Sequence, residues 1–127
     1  MKKLLLVLAV VTLAGCSTIM EYIPSRWDAN QSKVITDIQQ DARRIDCKTD
    51  VPLQLAVLDK DVEWFNIYAA NKPTRDVAKL TVTLTTTLKE FQDRYKAGPV
   101  SPLYCDLKKK LIIQQADIIA AAVQGRF

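Results

Sequence analysis

The amino-terminal segment of this chain differs in composition from the rest, and it limits which residues can belong to the fold. Lys2 and Lys3 precede a charge-free, mostly apolar run from Leu4 to Leu13, and small residues follow it. A basic segment, an apolar segment and a small-residue boundary are typical of a cleaved secretory signal peptide. A stop-transfer helix is the alternative, but a run this short falls well below the roughly 20 residues that cross a bilayer. The fold is therefore expected to form from the residues after this segment.

A cysteine closes the segment and gives it a more specific character. Leu13, Ala14, Gly15 and Cys16 resemble the lipobox of bacterial lipoproteins. The resemblance implies a diacylglycerol thioether on Cys16, removal of residues 1–15, and acylation of the new amino terminus, commonly with palmitate. One acyl chain holds a protein only marginally, whereas two or more hold it durably. An ordinary signal peptide with a chance cysteine is the competing interpretation.

The residues after Cys16 predict a location. Ser17 stands where lipoproteins retained in the inner membrane of Gram-negative bacteria often carry Asp, so the resemblance implies a lipid anchor at the periplasmic face of the outer membrane. We expect residues 16–25 to be the lipidated anchor and a short tether, and residues 26–127 to be the folded domain. Tyr22, Ile23 and Trp27 would then lie near the headgroups, where such side chains are favoured, or pack beneath the domain instead.

The mature chain is small and nearly balanced in charge. Removing 15 of 127 residues leaves 112, one domain's worth, and losing Lys2 and Lys3 lowers the net charge from +4 to +2. This charge and an extracytoplasmic compartment argue against nucleic acid as a partner. The run Lys108, Lys109 and Lys110 is expected to be the solvated side of a helix, with weak attraction to anionic headgroups as the alternative.

Four segments carry the apolar spacing of amphipathic helices. The second opens at Asp50 with Pro52 just inside, the third ends at Gly98 and Pro99, and the fourth opens at Ser101 and Pro102. The expected core seams are Trp27, Val34, Ile38, Ala42 and Ile45; Leu55, Leu58, Val62, Phe65 and Ala69; Val77, Leu80, Leu84, Leu88, Phe91 and Tyr95; and Tyr104, Leu107, Leu111, Ile118 and Ala122. Short connections between them predict an all-α, up-down-up-down four-helix bundle.

The third segment also fits a strand. Residues 80–85 alternate with period two and are rich in β-branched side chains. A single strand would leave its backbone groups without partners, whereas the seam from Val77 to Tyr95 fits a helix throughout, so we predict a helix.

The positions of Cys47 and Cys105 provide a test of the predicted bundle topology. In the predicted topology they lie at the same end of adjacent helices, and an oxidising periplasm favours pairing of two thiols. We therefore expect one intrachain disulfide. An intermolecular bridge or two free thiols is the alternative.

The sequence offers little for catalysis. It contains no histidine, which excludes Ser-His and Cys-His nucleophile pairs and removes the usual nitrogen ligand of zinc sites. Asp59, Asp61 and Glu63 could support carboxylate chemistry on envelope material, but an exposed charged face explains them more simply. We expect no enzyme activity, no cofactor, no metal and no small-molecule substrate.

Contact with another protein is the remaining function. The second and fourth segments carry apolar residues beside their seams, more than a single core stripe needs. These are Val57, Trp64 and Tyr68 in the second segment and Ile112, Ile119 and Val123 in the fourth. They either widen the core or form an exposed patch that binds an envelope protein or a second copy of this chain.

A second, shorter resemblance suggests a more specific role. Residues 23–31, which read Ile-Pro-Ser-Arg-Trp-Asp-Ala-Asn-Gln, and the ending Gly125, Arg126 and Phe127 resemble small lipoproteins carried by tailed phages of marine bacteria. That resemblance implies either an outer-membrane spanin in lysis or a lipoprotein that masks a receptor and excludes later infection. From the residues themselves, the expected function is a lipid-anchored periplasmic binding or structural module.

Overall fold

The computed structural model describes residues 26–72 and 75–126, and this part of the chain is helical without any strand. Its five helices are α1 (Ala29–Arg44), α2 (Val51–Ala70), α3 (Asp76–Leu80), α4 (Val82–Lys96) and α5 (Pro102–Gln124). The all-helical prediction is confirmed for these residues. The signal peptide, Cys16, Tyr22 and Ile23 lie outside them.

Side-chain caps fix where α1, α2 and α5 begin. The Asp28 carboxylate accepts hydrogen bonds from the backbone N–H groups of Asn30 and Gln31, at 2.9 and 3.0 Å, and so starts α1. Asp50 starts α2 and Ser101 starts α5 in the same way. Such caps satisfy amide groups that the first turn of a helix leaves without a partner.

The third predicted segment is helical but divided. Thr81 separates α3 from α4, and its hydroxyl donates to the carbonyl of Ala78 at 2.9 Å. Thr85 and Thr86 donate their hydroxyls to carbonyls four residues earlier. These bonds satisfy the threonine hydroxyls within the helix. Burial of Leu84, Leu88 and Phe91 in the core stabilises the helix despite its β-branched residues. After α4, Gly98 adopts φ +140°, a conformation that suits glycine, and ends the helix.

The helices contact one another in a ring. Helix α1 packs against α2 and α5, α4 packs against α2 and α5, and the short α3 contacts α2, α4 and α5. Within the described helices, α1 does not contact α4, and α2 does not contact α5. The apolar side chains at the centre form one core that every helix enters.

The ring has two distinct ends. At the disulfide end, the sulfurs of Cys47 and Cys105 lie 2.05 Å apart, as predicted for an intrachain bridge. The Lys109 ammonium donates to the carbonyl of Ile45, at 2.5 Å, and so neutralises the last turn of α1 beside this bridge. At the opposite end, called here the Asp28 end, Asp28 meets Lys72 after α2, and Asp76 meets Arg126 after α5.

The seam of α2 was predicted correctly, and that of α5 was not. All five predicted core residues of α2 are buried. In α5, Leu107, Leu111 and Ile118 are exposed, and the buried face is Cys105, Ile112, Ala116, Ile119, Ala120 and Val123. Trp27 was also expected in the core of α1, yet half of its surface is exposed, and Gln31 and Ile35 are buried instead. Leu80 was expected in the core of the third segment, but it lies at the end of α3, just before the break at Thr81, and is exposed.

The lysine run on α5 is only partly solvated. Lys108 pairs with Glu90 of α4 at 2.8 Å, and Lys109 caps α1, while Lys110 is exposed. The expectation of one solvated lysine face is therefore wrong for two of the three residues, because α5 turns them toward α4 and α1.

Candidate functional site

The outer side of α2 carries a row of apolar side chains, called here the α2 stripe. It consists of Leu53, Val57, Trp64 and Ile67, which are 64%, 52%, 42% and 57% exposed. Their spacing of four, seven and three residues places them on one side of the helix. Isolated exposed apolar residues are ordinary, but several large ones along one side of a helix favour a protein-binding surface.

Helix α2 can carry this stripe because its two faces are both apolar. The inner seam repeats in steps of three and four residues, and the α2 stripe repeats with similar steps on the outside. Lys60 interrupts the stripe between Val57 and Trp64, and Glu63 lies beside it; both are exposed. The sequence identified Val57 and Trp64, and it missed Leu53 and Ile67 although they share the same spacing.

Trp64 is held by a stack of side chains near the Asp28 end. Its ring lies on that of Tyr68, with centroids 4.8 Å apart and an angle of 11° between the planes. The Lys72 ammonium lies over the Tyr68 ring, 4.6 Å from its centroid. Stacking and cation–π attraction of this kind fix the orientation of aromatic side chains. Trp64 is therefore presented in a defined position on the surface.

Hydrogen bonds anchor the same stack to α1. The Tyr68 hydroxyl donates to the Asp28 carboxylate at 3.1 Å and accepts from the side-chain amide of Asn30 at 3.1 Å. Tyr68 is only half-buried, but its hydroxyl group is hydrogen-bonded within the fold as both donor and acceptor. It acts as a support for Trp64, whereas the sequence suggested that it contacts a partner directly.

The electrostatics of Asp28 follow from these neighbours. Partial burial raises the pKa of its carboxyl group, but hydrogen bonds from Lys72, the Gln31 amide and Tyr68 outweigh burial and hold the pKa below its ordinary value. The same contact with Asp28 raises the pKa of Lys72. Both groups are therefore charged at neutral pH, and the ion pair joins the start of α1 to the end of α2.

A shallow groove runs along the stack. It has a volume of about 340 Å³ and is lined by Trp64, Ile67, Tyr68, Asn71 and Lys72. Most of its lining is aromatic or aliphatic, with one ammonium at its edge. Such a groove can accept an apolar side chain of a partner and a carboxylate or carbonyl beside it.

Helix α5 carries a second exposed row. Leu103, Leu107, Leu111 and Ile118 are exposed along one side of it. Ile112 and Ile119, which the sequence offered as partner-binding residues, are buried in the core. They cannot contact a partner in this structure, and the correction follows from the rotation of α5: the row expected inside is outside. Since α2 and α5 do not touch, the two exposed rows belong to opposite sides of the ring.

The three carboxylates considered for catalysis face different surroundings. Asp59 lines a groove of about 430 Å³ with Gln92 and Tyr95 of α4, whereas Glu63 is exposed. Asp61 interacts with Asp41 of α1. The structure therefore does not assemble the trio into one site.

Asp41 of α1 and Asp61 of α2 bring two like charges together between these helices. Partial burial, together with the charge and hydrogen bonding of Asp61, raises the pKa of Asp41 above its ordinary value. Like charges at a helix interface favour the protonated form of one member. Within residues 26–72 and 75–126, no group of three or more possible ligands forms a metal site.

The structure also locates one of the three residues expected near the membrane. Trp27 lies just before the Asp28 cap and is half exposed. Tyr22 and Ile23 fall in the part of the chain that is not described. No helix of the described part has the length and hydropathy needed to cross a bilayer. Comparison with protein-family models, with curated proteins and with solved structures finds no match for this chain.

Proposed function

We propose that this protein is a lipid-anchored module at the periplasmic face of the outer membrane, and that it binds another envelope protein through the α2 stripe. The observation that carries the binding role is the row of four large exposed apolar side chains along one side of α2, which only Lys60 interrupts. A helix of a protein that works alone gains nothing from such a row, because apolar surface in water costs free energy that a partner would recover.

The anchoring part of the proposal rests on the sequence. Leu13, Ala14, Gly15 and Cys16 follow a charge-free segment in the order that a lipobox requires. Acylation of Cys16 would confine the protein to a membrane surface, which raises its effective concentration toward partners on that surface.

The proposed scaffold is an up-down-up-down four-helix bundle in which α3 and α4 together form one bent helix. The ring of helix contacts and the short connections between helices support this interpretation. Such a scaffold is rigid, so the α2 stripe would be presented without the ordering cost that a flexible segment pays on binding.

The anchor is tested on the full chain expressed in a Gram-negative host. Mass spectrometry of the membrane-extracted protein should find an amino-terminal Cys16 that carries three acyl chains. Cys16→Ser should release the protein from membranes washed with about 0.5 M salt, which screens electrostatic attachment. A chain that begins at Met1, or a bare thiol at position 16, would contradict the anchoring proposal.

The binding face is tested by photo-crosslinking in the same cells. A photoreactive residue at position 57 lies on the α2 stripe, and one at position 40, exposed on α1, is the matched control. We expect one discrete adduct from position 57, none from position 40, and loss of the adduct in the Ile67→Glu variant. Equal labelling from both positions would contradict a specific face.

The identity of the crosslinked protein would separate more specific roles. An inner-membrane protein in the adduct would favour the spanin role that the phage resemblance implies. An outer-membrane receptor would favour exclusion. Substituting Asp59, Asp61 and Glu63 together by Asn, Asn and Gln should leave the adduct and any phenotype unchanged; loss of activity with an intact fold would favour the carboxylate enzyme instead.

A further inference from the structure

The Asp28 end of the molecule is more basic than the chain as a whole. Its described side chains include the cations Arg26, Lys72, Arg75 and Arg126 and the carboxylates Asp28 and Asp76, a net charge of +2. This equals the net charge of the whole mature chain, so the rest of the molecule is balanced. These six side chains thus give the Asp28 end a surplus of positive charge.

Internal ion pairs account for both carboxylates at this end. Asp28 is paired with Lys72, and Asp76 is paired with Arg126 at 2.5 Å. The side chains of these four residues are largely shielded from solvent. Arg26 and Arg75, by contrast, are exposed. These two arginines therefore present positive charge outward at this end.

An exposed aromatic ring accompanies those arginines. Trp27 follows Arg26 and is half exposed, and Asn71, at the end of α2, is exposed as well. Tryptophan and arginine together suit the boundary between water and lipid, where the indole ring lies among the headgroups and the guanidinium groups meet phosphates.

The chain itself leads from this end to the proposed anchor. Only residues 17–25 separate Cys16 from Arg26, and nine residues reach at most about 30 Å when fully extended. Helix α5 alone is about 34 Å long, from its 23 residues. The Asp28 end, where residue 26 enters the fold, can therefore rest against the bilayer, whereas the disulfide end is held farther away.

We propose that the Asp28 end of the protein docks on an anionic phospholipid surface, with Arg26 and Arg75 on the phosphates and Trp27 among the headgroups. The proposal rests on the acylation of Cys16 for its geometry, because the short tether sets which end faces the lipid. It gives the molecule one orientation on the membrane, in which the α2 stripe rises from the surface.

The test uses the full, acylated protein reconstituted into vesicles. The chain has two tryptophans, so Trp64→Phe leaves Trp27 as the only indole reporter. In vesicles that contain phosphatidylglycerol, lipids brominated near the headgroup should quench Trp27 about twofold or more, since quenching requires contact with the bilayer. The control protein carries Trp27→Phe, Trp64→Phe and Leu111→Trp, and its reporter on the exposed side of α5 should not be quenched.

Charge dependence separates docking from simple tethering. The Arg26→Glu/Arg75→Glu variant should lower the quenching of Trp27 toward that of the control, and so should vesicles of phosphatidylcholine alone or about 0.5 M salt, as expected for screened attraction. Circular dichroism would check that the variant remains helical. Quenching that is absent, or that is equal in both lipids and in the variant, would overturn the proposal.

A further experiment distinguishes lipid binding by the Asp28 end from anchoring through Cys16. The mature Cys16→Ser chain, residues 16–127, lacks both the acylation site and the basic apolar leader; it should still sediment with phosphatidylglycerol vesicles more than with phosphatidylcholine vesicles, and Arg26→Glu/Arg75→Glu should abolish the difference. If Cys16 proves not to be acylated but this preference persists, the anchor fails and the lipid-binding end stands. If Cys16 is acylated but neither preference nor quenching is seen, the lipid-binding end fails alone.

Discussion

Individual polar residues join the helices of this protein at their ends and along their seams. Arg43 of α1 holds both oxygens of Asp117 of α5, at 2.7 and 2.8 Å, and these bonds, with one from Gln39, lower the pKa of that carboxyl group. The pair is half exposed, so its contribution to stability is small. Asp41 is the opposite case, because partial burial and the neighbouring carboxylate of Asp61 raise the pKa of its carboxyl group.

The Asp41 side chain should therefore be replaceable with a gain in stability. Asp41→Asn removes the repulsion from Asp61 and should stabilise the fold at neutral pH by about 0.5 kcal/mol, measured by chemical denaturation. The pKa of Asp41 is raised in the folded chain, so the wild-type protein loses stability as the pH rises through that pKa. The advantage of the variant should accordingly vanish below about pH 3.8, the ordinary pKa of an aspartate side chain. A gain that is independent of pH would contradict this explanation.

At the scale of elements, residue spacing predicted the helical segments, but it predicted neither the break at Thr81 nor, in every helix, the inward face. The core of α2 could be predicted because its inner row includes the large Phe65 and continues without interruption. Helix α5 has two apolar rows of similar strength, and spacing alone cannot show which row the neighbouring helices cover. The row inside contains the small Ala116 and Ala120, which allow α1 and α4 to approach closely.

Two adjacent isoleucines test the face assignment of α5. Ile119 is buried and Ile118 is exposed, and the same truncation can be made at each. Ile119→Ala should cost about 2–4 kcal/mol of unfolding free energy, because it leaves a cavity, whereas Ile118→Ala should cost less than about 1 kcal/mol. Thermal and denaturant unfolding would measure both. A reversed order would mean that α5 is rotated relative to this structure.

In the candidate site too, residue spacing could not show how the helices contact one another. Val57 and Trp64 could be proposed because they lie outside the α2 seam, and Tyr68 could be placed beside them. The engagement of Tyr68 by Asp28 could not be foreseen, since the two residues are 40 positions apart and their contact depends on how α1 meets α2. Ile112 and Ile119 were misplaced for the same reason that the α5 seam was.

For the whole molecule, the disulfide is the contact whose loss should matter most. It joins Cys47 to Cys105, 58 residues later, and a crosslink over a loop of that length contributes about 4 kcal/mol in the chain-entropy model. For a domain of this size that is a large part of the total stability.

Removing the bridge should therefore bring the protein close to unfolding. Cys47→Ala/Cys105→Ala should lower the free energy of unfolding by about 3–4 kcal/mol, measured by denaturant titration. Reductant should destabilise the wild-type chain by a similar amount and leave the double variant unchanged, which is the control. A wild-type chain whose stability does not respond to reductant would show that the two thiols are not bridged.

The position of the bridge also determines how the protein would respond to a mechanical pull between its two termini. Tension entering at residue 26 would pass along α1 to Cys47, cross the sulfurs to Cys105, and leave through α5. Helices α2, α3 and α4 lie in the loop that the bridge closes, so they carry no load through the backbone. Stretching would therefore separate α1 and α5 from the core first. The backbone between Cys47 and Cys105, which bears Val57 and Trp64, would carry no tension.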